Sequence, residues 1–181
     1  MRHGVRFVAM GSFAAIAQGV DLPMTDLDIV PATDQANRER LVACLDELGA
    51  QERVGNEKRP IDELRAHPAT LTDSSFRMFA TNFGELDIVL HPAGFPRGYD
   101  DLVERSVIVA IQEEDGLDSV VVEAPVASVE DVYESKRQAG RRKDIEALPA
   151  FTGIHPVNPK EVLRARYRDD VARREREQDR P

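Results

Sequence analysis

Two aspartates separated by one residue, Asp26 and Asp28, are the side chains of this chain most suited to chemistry. They open an apolar segment that reads Asp26-Leu-Asp-Ile-Val30. Successive side chains of a strand point to opposite faces, so both carboxylates project to one face and the leucine and isoleucine to the other. Two like charges on one face repel each other unless a cation neutralises them. Oxygen ligands of this kind suit Mg²⁺ above all, so the pair predicts a metal site.

A second strand-like segment offers a third carboxylate. Residues 84–91 alternate, with apolar side chains on one face and Asp87 on the other. Its run Glu85-Leu-Asp-Ile-Val89 nearly copies the first motif. If the two strands are neighbours, Asp87 joins Asp26 and Asp28 in a cluster that holds one or two Mg²⁺ ions about 3.5–4 Å apart, as in phosphoryl or nucleotidyl transfer. The alternative is that all three are exposed polar positions on half-buried strands.

The pair Gly11-Ser12 lies between an apolar segment and a short helix-like stretch. Glycine permits close backbone approach, serine offers a hydroxyl, and a following helix presents free N–H groups to phosphates. We therefore expect phosphate binding here. The alternative is an ordinary strand-to-helix turn in which Ser12 caps the helix.

Cations concentrate in the segment 126–144. Ser128 is the expected N-cap of a helix that Gly140 ends, and Lys136 and Arg137 fall in its last turn. Arg141-Arg-Lys-Asp144 then opens another helix. Lysine or arginine at a helix end is the usual partner of a polyphosphate whose charge Mg²⁺ does not fully neutralise. The alternative is a solvated face whose cations favour the helix C-terminus.

These motifs, taken in order, resemble the nucleotidyltransferase superfamily that shares the DNA polymerase β palm. The chain is more closely similar to the small bacterial toxin nucleotidyltransferases of the AbiEii and MenT type, over roughly Val5 to Phe151. Related enzymes carry a similar Ser-Lys, Gly-Arg and Lys-Asp run after the palm. The resemblance implies catalytic and metal-binding roles for Asp26, Asp28 and Asp87, with Asp87 activating the acceptor hydroxyl. It implies nucleotide binding by Gly11, Ser12, Lys136, Arg141 and Asp144.

The resemblance also sets expectations for cofactor and partners. It implies Mg²⁺ as cofactor, a nucleoside triphosphate (NTP) as donor, the 3′ end of tRNA as acceptor, and a cognate antitoxin. The residues add only a basic edge, which we expect at Lys136, Arg137, Arg141, Arg142 and Lys143. Two alternatives stay open: a transferase that modifies a drug or sugar hydroxyl, and a catalytically silent nucleotide-binding partner module.

The elements that must position these residues alternate early and then form hairpins. We expect strands at Val5–Met10, Asp26–Pro31, Phe76–Thr81, Glu85–His91, Val107–Ile111 and Val120–Glu123, and helices at Phe13–Gly19, Asp34–Leu48, Tyr99–Arg105 and beyond Ser128. The segment around Pro60 and Pro68 reads as irregular. This order predicts an α/β (α+β) fold, a mixed β-sheet palm flanked by helices. We expect a palm domain over 1–125 and a helical C-terminal extension over 126–181, packed on it.

Composition excludes several other classes. The 181 residues are 41% hydrophobic and carry a net charge of −9, with one cysteine. No signal peptide or membrane span is evident, so we expect a cytoplasmic protein. Neither a Gly-x-Gly-x-x-Gly fingerprint nor a Walker lysine nor a Gly-x-Ser-x-Gly elbow occurs, which disfavours hydride transfer, P-loop hydrolysis and esterase chemistry.

The two ends of the chain raise separate expectations. From Lys160 to Pro181 the tail carries a charge of +2 on an otherwise acidic body, and reads as a solvated helix or an RNA- or partner-contacting arm. The first strand begins at Val5, where related proteins generally place a helix ahead of it. Either the chain lacks that helix or the encoded start lies upstream. Loss of the helix would expose apolar strand surface and favour a homodimer.

Overall fold

One mixed sheet of eight strands carries the helices on its two faces in the computed structural model, which describes residues 3–113 and 120–153. The strands are β1 (Phe7–Met10), β2 (Asp26–Pro31), β3 (Gln51–Val54), β4 (Glu57–Pro60), β5 (Phe76–Thr81), β6 (Gly84–Val89), β7 (Val107–Glu113) and β8 (Val120–Val126). The helices are α1 (Gly11–Ala17), α2 (Gln35–Glu47), α3 (Asp62–Ala66), α4 (Tyr99–Leu102), α5 (Val129–Ala139) and α6 (Arg142–Ala147). Turns of 3₁₀ helix cover Pro68–Thr72, Val103–Arg105 and Leu148–Phe151. The predicted mixed sheet flanked by helices is confirmed.

The strand order across the sheet is β4-β3-β5-β6-β2-β1-β8-β7. Strand β2 runs antiparallel to β1 and parallel to β6, and β1 runs parallel to β8. The two Leu-Asp-Ile-Val copies therefore lie side by side, with Asp26 opposite Glu85 and Asp28 opposite Asp87. The two strands are therefore neighbours, which is the condition for Asp87 to join Asp26 and Asp28.

Each face of the sheet has its own hydrophobic cluster. Val8, Val30 and Val126 pack against the alanines of α1 and against Val129 and Val132 of α5. On the opposite face, Ile29, Leu86 and Ile88 pack against Leu41 and Leu45 of α2. Because strand side chains alternate, the face that carries Asp26 and Asp28 is the one covered further along by α1 and α5.

Capping residues mark the ends of α2 and α5, and those of α5 are the ones that the sequence predicts. Asp34 caps α2 by accepting a hydrogen bond from the Asn37 backbone N–H at 3.2 Å. Ser128 caps α5 through the N–H of Asp131 at 3.1 Å. Gly140 ends α5 with φ of 59°, a left-handed conformation that glycine adopts without steric cost.

The segment expected to be irregular instead holds the β3–β4 hairpin and α3. Strand β4 consists of Glu-Lys-Arg-Pro, and all four of its side chains are exposed. Such a strand buries nothing and so shows no apolar alternation. Its Pro60 is tolerated because β4 is an edge strand.

Other expectations concern residues outside the described ranges. The tail from Lys160 belongs to them, and half of the extension predicted over 126–181 is not described. Within the described residues, no helix is both long and apolar enough to cross a bilayer.

Candidate active site

Carboxylates form a row on one face of the two central parallel strands. Asp26 and Asp28 of β2 lie opposite Glu85 and Asp87 of β6, each pair in register. Asp87 is buried, and Asp26 and Asp28 are half-buried. Glu85 has its own partner, since Arg53 Nη1 lies 2.6 Å from its Oε2. Among the described residues the other three carboxylates form no ion pair, so three unneutralised acids share one site.

The close spacing of these acids, together with burial, raises the pKa of two of them. Burial, together with the charges of Asp28, Asp26 and Glu85, raises the pKa of Asp87 from 3.8 to about 6. Burial and the charge of Asp26 likewise raise the pKa of Asp28. Lys143, Lys136 and Arg141 act in the opposite direction on Asp28. A cation placed between the acids would relieve the repulsion.

Gly11 lies directly against Asp28. A Cβ added at Gly11 would lie 1.9 Å from Asp28 Oδ2, and the residue has φ of 66°. Both facts require glycine. Ser12 is the second residue of α1, whose N-cap is Met10, so Ser12 does not cap the helix. Within the described part of the chain its hydroxyl has no hydrogen-bond partner, and it lines the same cavity as the acids.

Gln18 joins the end of α1 to the start of α5. Its buried side-chain amide donates to the carbonyls of Ala14 and Ala127, both at 2.8 Å. Its Oε1 accepts the Val129 N–H at 3.0 Å. These three bonds fix the helix that begins at Gly11 relative to the helix that carries Lys136.

The opposite wall of the cavity is cationic. Lys136 comes from the last turn of α5, and Arg141 and Lys143 lie at the start of α6. The left-handed turn at Gly140 lets the chain reverse between the two helices, so all three cations reach one wall.

Asp144 lies beneath these cations and is only 1% exposed. Its Oδ2 is 2.6 Å from Arg141 Nε, and its Oδ1 is 3.7 Å from Lys136 Nζ. Burial alone would raise the pKa of Asp144, but hydrogen bonds and charge from Arg141, with Lys136 and Lys143, hold it below the usual value. Asp144 thus pairs with Lys136 and Arg141 from the buried side of the cavity wall and orients both.

The predicted basic edge is divided between two places. Lys136, Arg141 and Lys143 line the cavity. Arg137 instead pairs with Glu134 at 2.7 Å, and Arg142 pairs with Glu146 at 2.8 Å, both at the surface.

Acidic row and cationic wall enclose a cavity of about 440 Å³. All eight residues predicted for the site line it: Gly11, Ser12, Asp26, Asp28, Asp87, Lys136, Arg141 and Asp144. Phe76, Val89 and His91 line it as well, although the sequence motifs do not indicate them. The alternation that placed Asp87 on its face continues to positions 89 and 91, and would have identified two of them. Phe76 required knowledge of the hairpin register.

The donor set fits a hard divalent cation. Asp26, Asp28 and Asp87 offer carboxylate oxygens alone, the ligands that Mg²⁺ prefers. As they stand, no three His, Cys, Asp or Glu side chains within residues 3–113 and 120–153 are grouped to hold a metal ion. Carboxylates that repel one another are expected to converge only around a cation.

Comparisons with known proteins add similar structures but no family. No protein-family model matches the chain, and no curated protein matches its sequence. The candidate nucleotidyltransferase TM1012 from Thermotoga maritima is similar, with 19% identity, a TM-score of 0.46, and coverage of 81% of each chain.

Two further solved structures also have a TM-score of 0.46. The lincosamide antibiotic adenylyltransferase LnuA, bound to lincomycin, is 13% identical, with 85% of this chain and 90% of that chain covered. The antibiotic-resistance factor ANT(2'')-Ia is 17% identical, with 98% and 89% covered. Similarity at this level is too low to carry an argument about activity, which must come from the site.

Proposed function

We propose that this chain is a nucleotidyltransferase, which moves a nucleoside monophosphate (NMP) unit from an NTP to an acceptor hydroxyl and releases pyrophosphate. One observation carries the proposal. Three carboxylates on neighbouring strands, which have no ion-pair partner within the described residues, face three cations on two helices across one cavity. The acidic side suits a divalent cation, and the cationic side suits a chain of phosphates.

Mg²⁺ is the proposed cofactor, held by Asp26, Asp28 and Asp87. When bound it would neutralise the carboxylates and the charge that develops on the reacting phosphate. The protein's own part is to hold the acids in register on two strands and to keep Gly11 small, so that Asp28 can occupy its place.

The triphosphate is proposed to lie between Gly11-Ser12 and the cationic wall. Ser12 supplies a hydroxyl donor, and Lys136 and Arg141 supply charge-assisted hydrogen bonds. Asp144 keeps both cations turned towards the cavity, because it is buried and pairs with each. In the reaction the acceptor oxygen bonds to the α-phosphorus, the bond to the β-phosphate oxygen breaks, and pyrophosphate leaves with the added negative charge, which the cationic wall stabilises.

Asp87 is proposed to serve as a metal ligand or as the base that takes the acceptor's proton. A pKa raised to about 6 makes a carboxylate a stronger base while leaving most of it ionised near neutral pH.

For the acceptor we propose the 3′ end of tRNA, with the chain acting as the toxin of a toxin–antitoxin pair. This part rests on the resemblance of the motifs to toxin-type enzymes. The second candidate is a small-molecule hydroxyl. One observation favours it: Arg137 and Arg142 are paired with glutamates away from the cavity, which leaves a narrower basic edge for RNA.

The test is to incubate the protein with each α-labelled NTP, Mg²⁺ and either total cell RNA or a set of small hydroxyl compounds. We expect label on the acceptor and pyrophosphate in solution. Asp28→Asn keeps the side chain's shape and removes one charge, so it should abolish transfer while the protein stays folded. Glu85→Gln is the matched control, because Glu85 lies on the same row but pairs with Arg53. Nucleotide binding without pyrophosphate release would instead identify a silent nucleotide-binding module.

A further inference from the structure

The side of the cavity formed by β5 and β6 has a different chemistry. Strand order places β5 next to β6, then β2, then β1. Across the cavity the site therefore runs from Phe76 on β5, through Asp87 and the β2 aspartates, to Gly11 and Ser12 at the end of β1. Helix α5, which carries Lys136, lies beside α1, since Gln18 joins the two, and its Gln138 also lies against Gly94 in the loop after His91.

Phe76 is on the same face as the acids. It pairs with Val89, and two residues along the same pair of strands Met78 pairs with Asp87. The side chains at alternate positions share a face, so Phe76, Val89 and Asp87 form one surface. Phe79, by contrast, is on the opposite face and fully buried. The ring of Phe76 is 42% exposed although it lines the cavity, which leaves it free to pack against a ligand.

Val89 and His91 continue this surface away from Asp87. Val89 is half-buried and His91 is exposed, and both line the cavity. This end thus offers one aromatic ring, one aliphatic side chain and one imidazole that can donate or accept a hydrogen bond. A triphosphate has little to gain there, and a flat ring has a surface on which to stack.

The geometry of phosphoryl transfer assigns this end to the acceptor. The attacking and leaving oxygens lie roughly in line on opposite sides of the phosphorus. If the leaving pyrophosphate lies at the cationic wall, the acceptor hydroxyl must enter from the opposite side, past Asp87. This step rests on the proposed function.

We propose that Phe76, with Val89 and His91, forms the acceptor subsite, and that the acceptor carries a planar ring beside its reacting hydroxyl. Phe76 stacks on the ring and is a specificity-determining residue. The same chemistry occurs in the terminal nucleoside of an RNA and in a small ring-bearing alcohol, and the experiment separates these two sources.

The experiment measures NMP transfer while either the acceptor or the NTP is varied, for the wild type and for Phe76→Ala, Phe76→Leu and Phe76→Tyr. The acceptors are a short RNA with a free 3′ hydroxyl, free nucleosides, ring-bearing alcohols, and glycerol as the ring-free probe. We expect transfer to one of the ring-bearing classes and little to glycerol.

Loss of the ring should raise the acceptor KM roughly tenfold or more, on the scale of one lost stacking contact. Phe76→Leu should show the same rise, because leucine keeps apolar volume but no ring, and Phe76→Tyr should stay near wild type. The NTP KM should not change in any of them. Phe83, 83% exposed in the turn between β5 and β6, gives the control Phe83→Ala, which should behave as wild type.

Other outcomes contradict the proposal in separate ways. A rise in the NTP KM instead of the acceptor KM would mean that the ring stacks on the donor base. Unchanged kinetics in Phe76→Ala and Phe76→Leu, or equal transfer to glycerol, would remove the subsite and leave the nucleotidyltransferase intact. Absence of any transfer by the wild type would overturn the proposed function itself. Thermal unfolding of each variant checks that it is folded. If Phe76→Ala and Phe76→Leu do not fold, the comparison of ring-bearing acceptors with glycerol in the wild type still tests the proposal.

Discussion

At the scale of single residues, the contact between Asp28 and Gly11 is the tightest constraint in the site. The carboxylate occupies the volume that a side chain at position 11 would need. Position 11 therefore cannot take a side chain while the Asp28 carboxylate keeps its place.

Gly11→Ala should accordingly be more costly than glycine substitution usually is. Its Cβ would lie 1.9 Å from Asp28 Oδ2, and φ is 66°. Gly55→Ala is the matched control, since Gly55 has φ of 63° but nothing within 4 Å of the added Cβ. The control should lose about 1–2 kcal/mol of unfolding free energy for the left-handed backbone. Gly11→Ala should lose more unfolding free energy than the control and should also lose transfer activity. Equal losses of unfolding free energy in the two variants, measured by denaturant titration, would refute the clash.

A pH-dependent prediction follows from Asp87. Its pKa is about 6 in the folded protein against 3.8 ordinarily, so between these values the folded state binds more protons than the unfolded state. Stability must then fall as pH rises from about 4 to about 6, with the loss complete above that range. Asp87→Asn removes this penalty and should raise the unfolding free energy at pH 7.5 by about 1–2 kcal/mol, discounted because the site opens to solvent.

The advantage of the same variant should be much smaller near pH 4, where the carboxyl is protonated in the folded state and only about half ionised in the unfolded state. Unfolding must be followed without divalent cations. Addition of Mg²⁺ at pH 7.5 should then stabilise the wild type more than Asp87→Asn. A variant advantage that is equal at both pH values would show that charge repulsion is not its cause.

At the scale of elements, α5 presents two neighbouring cations with different surroundings. Lys136 lies on the cavity wall and Arg137 pairs with Glu134 at the surface. Lys136→Ala should weaken NTP binding by roughly 1.5–3 kcal/mol, the loss of one charge-assisted contact. Arg137→Ala, one position along the same turn, should leave the NTP KM unchanged. Equal effects of the two would point to helix stability or overall charge rather than to a phosphate contact.

How well each element could be predicted depends on whether its residues bury something. Strand β2 matched its predicted range, and α2 ended within a residue of it at each end, because alternation or a capping side chain marks them. The β3–β4 hairpin was not predicted, because the charged, exposed side chains of β4 leave no periodic hydrophobic pattern. Within the site, the repeated Leu-Asp-Ile-Val motif indicated Asp87, whereas Phe76 reaches the cavity only through the pairing of β5 with β6. Which residues of two strands lie opposite each other depends on the tertiary structure, so the sequence of one segment does not predict it.

At the scale of the whole molecule, charge limits which acceptors can approach. The chain carries a net charge of −9, and phosphate contacts require clustered cations. If the acceptor is RNA, the double variant Arg137→Glu/Arg142→Glu should raise the RNA KM and leave the NTP KM unchanged, because both residues lie outside the cavity. Arg59→Glu, on the far edge strand β4, is the control.

RNA affinity should fall only gently with added salt, with a slope that corresponds to a few phosphate contacts. An unaltered RNA KM would favour the small-molecule acceptor.

The three hydrogen bonds of Gln18 have a consequence for how such a site can evolve. One buried amide joins α1, which begins at Gly11, to α5, which carries Lys136. Any replacement of Gln18 leaves backbone groups of both helices unpaired and loosens both at once. Selection for a new donor or acceptor therefore has little access to the relative placement of the two helices. Variation in specificity should accumulate instead at cavity positions whose side chains do not hold two helices together. Phe76 and His91 are two such positions.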